Sequence, residues 1–185
     1  MKVIRDGKMC SLAETEEISL EQRVRRLEDM EQIKEILHHY TRCVDRGDVN
    51  GIASCYTEDG CFYPSDFSNP IQGREAIFNI FSKLLDPSIK TSAHYISNQQ
   101  IHFENRDEAL VFAYFYSNKS FEGREDELTC GGYEVRAVRE ADGEWRMKSH
   151  KCFFTRQEGS RSGRFGENID RCWPPLPEYV KTVAR

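Results

Sequence analysis

The chain has 185 residues and a net charge of −5, enough length for one domain with a sizeable core and a tail. Both charge signs are mixed along it, and no basic block or Arg-rich stripe marks a nucleic-acid binder. No apolar run reaches membrane-spanning length, and the start, Met1 to Asp6, lacks a signal-peptide core. The seven cysteines are an odd number without a C-x-x-C pair, so they read as reduced thiols of a cytoplasmic protein, not as a disulfide framework or zinc site.

Residues 1–18 are polar and aperiodic and read as a flexible or loosely docked leader. A helix follows, because Leu27, Met30, Ile33, Ile36, Leu37, Tyr40 and Val44 recur at steps of three and four. Tyr40 lies at the middle of this stripe, Asp45 on its flank, and Gly47 is a C-terminal stop. A short helix holds Ile52, Ala53 and Cys55. Tyr56 to Gly60 reads as a turn, and Cys61-Phe62-Tyr63 begins a strand. Residues 64–70 are irregular and hold Phe67. An amphipathic helix then opens at Gly73-Arg74-Glu75, carries Ile77, Ile80, Phe81 and Leu84 on one side, and ends at Asp86-Pro87.

From there the period changes to two. Strands are expected from His94 to Phe103, from Ala109 to Phe121, from Cys130 to Glu140 and from Trp145 to Thr155. Polar turns separate them, and Asp142-Gly143 marks the last hairpin. Helices first and antiparallel strands last give an α+β fold over 19–156, with helices on one face of a curved sheet. Residues 157–171 are rich in Gly, Ser and Arg and read as mobile; Trp173 to Pro177 is stiff and apolar. The extension 157–185 is thus a candidate lid or subunit contact.

Several residues invite chemistry, each with a plainer alternative. His94 is a histidine on a strand, with a pKa suited to proton transfer near neutrality, or a surface histidine. Asp45 is a site acid, or the acid that caps the turn at Gly47. Tyr40 is a hydrogen-bond donor or a core tyrosine. Alternation puts Lys148, His150 and Cys152 on one face of the last strand, where His150 is a proton donor, a polar anchor or a rim histidine. Tyr63, Phe67, Phe81, Tyr116 and Tyr133 are candidates to line an apolar pocket, with Phe62, Phe112 and Tyr114 behind them. His38, His39 and His102 make no metal set, because helical ligand pairs need spacing of three or four. Phosphate loops, dinucleotide fingerprints and nucleophile elbows are absent, which favours chemistry without a cofactor.

An ordered set of motifs carries a resemblance. Tyr40, Asp45, Gly47 and Asp48 are followed by Tyr56-Thr57-Glu58-Asp59-Gly60, then by Gly73-Arg74-Glu75-Ala76-Ile77. Ser92-Ala93-His94-Tyr95-Ile96-Ser97-Asn98 and Asp142-Gly143-Glu144-Trp145-Arg146 complete it. Over residues 22–155 this resembles the SnoaL-like branch of the nuclear-transport-factor-2-like superfamily. The resemblance implies a cone: a bent sheet wrapped by helices around an apolar pocket. It implies that Asp45 orients His94 as a base, as in members that dehydrate scytalone or bile acids or dehydrochlorinate hexachlorocyclohexane. It also implies that Tyr40 stands where a bile acid dehydratase has a tyrosine.

The chain departs from those members at three places. Cys130-Gly131-Gly132-Tyr133 lacks a second pocket histidine. Pro64 stands where a steroid isomerase has its base, with Asp66 two residues away. His150 replaces a dehydrochlorinase arginine. The expectation is a cofactor-independent lyase on a small apolar substrate, in a homo-oligomer, trimer or dimer. The alternatives are an isomerase or cyclase, or a non-catalytic dioxygenase small subunit or binding protein.

Overall fold

The computed structural model describes residues 2–5, 8–11, 19–64 and 69–159. Phe67, Asp66 and the extension from 160 onward lie outside the described residues. Two short strands, β1 (Lys2–Arg5) and β2 (Lys8–Ser11), pair antiparallel within the stretch read as a leader. Helix α1 (Leu20–Arg46) opens on a capping box. The Ser19 hydroxyl accepts from the Gln22 amide at 3.2 Å, and the Gln22 side chain accepts from the Ser19 amide at 2.8 Å.

Residues 32–159 build the body that carries the candidate site. α1 ends in a Schellman turn: Gly47 takes φ 70°, its amide donates to the Val44 carbonyl, and the Asp48 amide donates to that of Cys43. Asp48 then caps α2 (Val49–Ser54), accepting from the Gly51 amide at 2.9 Å. β3 (Tyr56–Tyr63), β4 (Ile71–Gln72) and α3 (Arg74–Leu84) follow. The meander is β5 (Ile89–Phe103), β6 (Glu108–Phe121), β7 (Glu127–Arg139) and β8 (Trp145–Glu158). The sheet order is β4-β3-β8-β7-β6-β5, antiparallel except where β3 runs parallel to β8.

The expected α+β order therefore holds, with one correction in β3. Tyr56 to Gly60 is not a free turn but the bulged first half of the strand. Tyr56 pairs with Met147 and Cys61 with Ser149, so five steps on β3 oppose two on β8. Gly60 permits this, because a Cβ there would stand 3.0 Å from the carbonyl oxygens of Met147 and Thr57.

Strands of 13–15 residues in the meander bend at further bulges, between Ser97 and Gln100 on β5 and at Lys148 on β8. The inner face is read from burial. On β6 it is Val111, Ala113, Phe115 and Ser117; on β7 it is Tyr133, Val135 and Ala137. Ile33, Leu37, Tyr40 and Cys43 of α1, Ile52 of α2, and Ile77 and Phe81 of α3 complete one hydrophobic cluster with them. Leu27, placed on the same stripe by periodicity, is 62 % exposed.

Candidate active site

Asp45 sits in the last turn of α1, where the helix dipole opposes a carboxylate. A purely structural choice at that position would be basic or neutral. The opposing field is offset by three hydrogen bonds from β5. His94 Nδ1 donates to Asp45 Oδ1 at 2.6 Å, the His94 amide donates to Oδ2 at 2.9 Å, and the Ser92 hydroxyl donates to Oδ1 at 2.6 Å. The pair is largely enclosed, with side-chain exposures of 8 % for His94 and 18 % for Asp45. Burial raises the Asp45 pKa, but the bonds from His94 and Ser92 outweigh it and hold the carboxyl below its usual value. An ionised carboxylate accepts, so the His94 proton is on Nδ1 and the Nε2 lone pair is left as a base. Sequence reasoning paired Asp45 with His94 but missed Ser92, whose signal is its place two residues before His94 on the same strand face.

From His94 a run of rings leads inward. Phe115 lies 6.3 Å from the His94 ring and stacks on Tyr133 at 4.6 Å. Tyr133 meets His150 edge-on at 4.7 Å, and Tyr40 meets His150 at 4.9 Å. Tyr40 also touches Phe81 at 6.2 Å, and Phe81 touches Phe62 at 5.2 Å. Burial raises the Tyr40 and Tyr133 phenols well above their usual pKa, so both keep their protons and serve as neutral donors.

His150 is neither a rim histidine nor grouped with Lys148. The bulge at Lys148 resets the alternation, so Met147 and His150 both face the core while Lys148 reaches the Asp59 carboxylate instead. Burial pushes the His150 pKa down to about 3, which removes the charged acid role open to it in the sequence.

The other lining candidates divide. Phe81 and Tyr133 stand beside Tyr40. Tyr63 lies on the opposite face from Phe62, pairs with Lys151, and has that lysine's Nζ 6.0 Å from its ring. Tyr116 is 40 % exposed on the outer face against Tyr95, because odd residues of β6 point inward. Phe112 and Tyr114 share that outward parity. Tyr56, read as a turn residue, is instead fully buried and bonds His150 Nδ1 at 2.8 Å. Among the described residues no group of His, Cys, Asp and Glu could hold a metal ion. A cleft of about 330 Å³ lined by Gln32, His39, Ser54, Cys55, Trp145 and Arg146 holds none of the candidate residues.

A bent six-stranded sheet with helices on its inner face, closing over a half-buried carboxylate and imidazole, defines an α+β cone fold of the nuclear-transport-factor-2-like type. The SnoaL-like domain model matches residues 25–151, and the chain belongs to that family. A candidate scytalone dehydratase from Novosphingobium aromaticivorans shares the fold at 22% identity and TM-score 0.66, over 72% of this chain and 88% of that one. A type 2 hexachlorocyclohexane dehydrochlorinase shares it at 18% identity and TM-score 0.67, over 74% and 92%. The type 3 dehydrochlorinase from Novosphingobium barchaimii shares it at 17% identity and TM-score 0.66, over 74% and 93%. No protein of curated function matches the chain by sequence. Among the described residues no helix is long and apolar enough to cross a membrane.

Proposed function

We propose that this chain is a cofactor-independent lyase acting on a small, mostly apolar substrate, aromatic or polycyclic. His94 Nε2 takes a proton from carbon or from a hydroxyl. The electron pair released forms the new double bond. Halide departs with its bonding pair, and hydroxide departs with its pair and takes a proton from Tyr40 to leave as water. In loss of formaldehyde the deprotonated hydroxyl becomes the formaldehyde carbonyl, and the pair of the broken C–C bond stays on the remaining carbon, which is then protonated. Asp45 holds His94 in the tautomer that accepts at Nε2 and stabilises the imidazolium that forms. Tyr40, protonated in the resting protein, donates to the departing oxygen or to the charge that develops on it. The aromatic rings around it exclude water and strengthen these interactions.

The observation that carries this reading is the 2.6 Å contact between His94 Nδ1 and an ionised Asp45. The resemblance of the fold to a dehydratase and two dehydrochlorinases supports the choice of elimination. We read the protein as cytoplasmic, in keeping with the free thiols of Cys43, Cys55, Cys61, Cys130 and Cys152, and as a homo-oligomer, trimer or dimer.

Product mass tests the reaction class. Purified protein is incubated with hydroxylated and halogenated aromatic and alicyclic compounds. The reading expects a product lighter by water, hydrogen halide or formaldehyde. Products of unchanged mass indicate an isomerase or cyclase using the same base. Copurification with a larger iron-containing chain and no turnover alone indicates a non-catalytic subunit.

A further inference from the structure

One polar group on the inner face has no role in the proposed proton transfer. The His150 side chain is fully buried, its Nδ1 is 2.8 Å from the Tyr56 hydroxyl, and its Nε2 has no hydrogen-bond partner among the described residues. Buried polar atoms are almost always partnered, because an unmade bond loses more than a made one gains. The imidazole is hemmed by Tyr40 at 4.9 Å, Tyr133 at 4.7 Å and Phe62 at 5.5 Å. None of these rings carries charge.

The partner of the ring is itself held in place. The Arg74 guanidinium donates to the Tyr56 carbonyl at 2.7 and 3.1 Å, which pins the strand start behind the phenol. Burial raises the Tyr56 pKa well above its usual value, so the phenol keeps its proton. The imidazole is neutral and carries one proton, which stands on Nε2 when the Tyr56 hydroxyl donates to Nδ1.

We propose that His150 Nε2–H, set in that tautomer by Tyr56, is an anchor for an uncharged oxygen of the ligand: a carbonyl, ether or hydroxyl oxygen on an apolar ring body. An anion is disfavoured, because its charge would be buried against Tyr40, Tyr133 and Phe62, which offer no cation. The stacked Phe115 and Tyr133 between His94 and His150 supply the apolar surface that such a body would cover. This assignment rests on reading the interior as the substrate site and adds a substrate class to it.

The test uses the full chain and three probes: 1-tetralone, tetralin (the same body without oxygen) and 1-naphthoate. Binding is followed by intrinsic fluorescence, and the His150 tautomer by long-range proton–nitrogen NMR on ¹⁵N-histidine protein. The expected results are a protonated Nε2, 1-tetralone binding roughly tenfold tighter than tetralin, and naphthoate weakest. Tyr56→Phe should reduce the ketone preference, and His150→Phe should abolish it. His94→Ala should leave it intact, so loss of the anchor and loss of the base are read separately. Equal binding of tetralone and tetralin, no binding of either, or a protonated Nδ1 would overturn the proposal. So would a preference that survives in a folded His150→Phe protein. If His150→Phe does not fold, Tyr56→Phe decides, and an unchanged preference there overturns it too.

Discussion

Asp45 grips His94 at two points, ring and backbone: Oδ1 takes the Nδ1 proton at 2.6 Å and Oδ2 takes the amide proton at 2.9 Å. The grip ties the C-terminal end of α1 to β5, and it fixes both the position and the tautomer of the imidazole. An acid at a helix C-terminus is disfavoured by roughly 0.3–1 kcal/mol at exposed sites. Its retention here is accounted for by what it holds.

Ser92 shares Oδ1 with His94, so its loss weakens the orientation without removing the base. Ser92→Ala is expected to cost about 1.5–3 kcal/mol of stability, the range for a hydrogen bond to a charged group. It should lower turnover roughly tenfold, through kcat more than KM. Urea denaturation and steady-state kinetics on the same preparation check both numbers. Unchanged kcat would mean that Ser92 has no part in holding the pair.

The stability of the protein should fall on acidification through two groups that act in the same direction. The folded-state pKa of His150 is about 3, below its ordinary 6.5, so the unfolded chain binds the extra proton between those values. Stability is then full above about pH 6.5 and declines by about 1.4 kcal/mol per pH unit below it. Asp45, held below its usual pKa, adds a loss as pH falls through its folded value. His150→Phe should flatten the slope between pH 6 and 4 whatever its effect at neutrality, and urea midpoints across that range measure it.

How far the chain could be read before the structure follows from what periodicity reports. α1, α3 and the four long strands have strong three-to-four or two-residue patterns and form in the expected order, with β5 beginning at Ile89 instead of His94 and β7 at Glu127 instead of Cys130. A period says which residues share a face, not which face is inside, so it does not reveal that Tyr116 and Tyr63 lie opposite the lining. Bulges break the period itself. The one at Lys148 carries His150 to the core, and the one before Cys61 hides Tyr56 inside a segment of Thr, Glu, Asp and Gly that reads as a turn. Asp45 and His94 are 49 residues apart, and no local pattern joins them. The family resemblance supplied that pairing, and the contact is present in the fold.

Gly60 is where the bulge before Cys61 depends on a missing side chain. Gly60→Ala puts a Cβ 3.0 Å from two backbone carbonyl oxygens, which have little freedom to yield. The expected cost is roughly 1–3 kcal/mol. Because the same bulge sets Tyr56 against His150, the variant should also disturb the His150 tautomer. A protein as stable as the parent would contradict the account of β3.

Proposed proton transfer at His94 needs no metal. Dialysis against EDTA should leave turnover unchanged, and readdition of divalent cations should not raise it. Loss of activity that zinc, iron or magnesium restores would remove the cofactor-independent part of the proposal.

The central claim is that His94, held by Asp45, is the base. Its most direct test is the turnover of His94→Ala and Asp45→Asn on a compound that the parent protein converts, with folding checked by melting temperature. The account predicts folded proteins, a loss of 10²–10⁴-fold for His94→Ala, in the usual range for a general base, and a smaller loss for Asp45→Asn. Turnover of His94→Ala equal to that of the parent would contradict it.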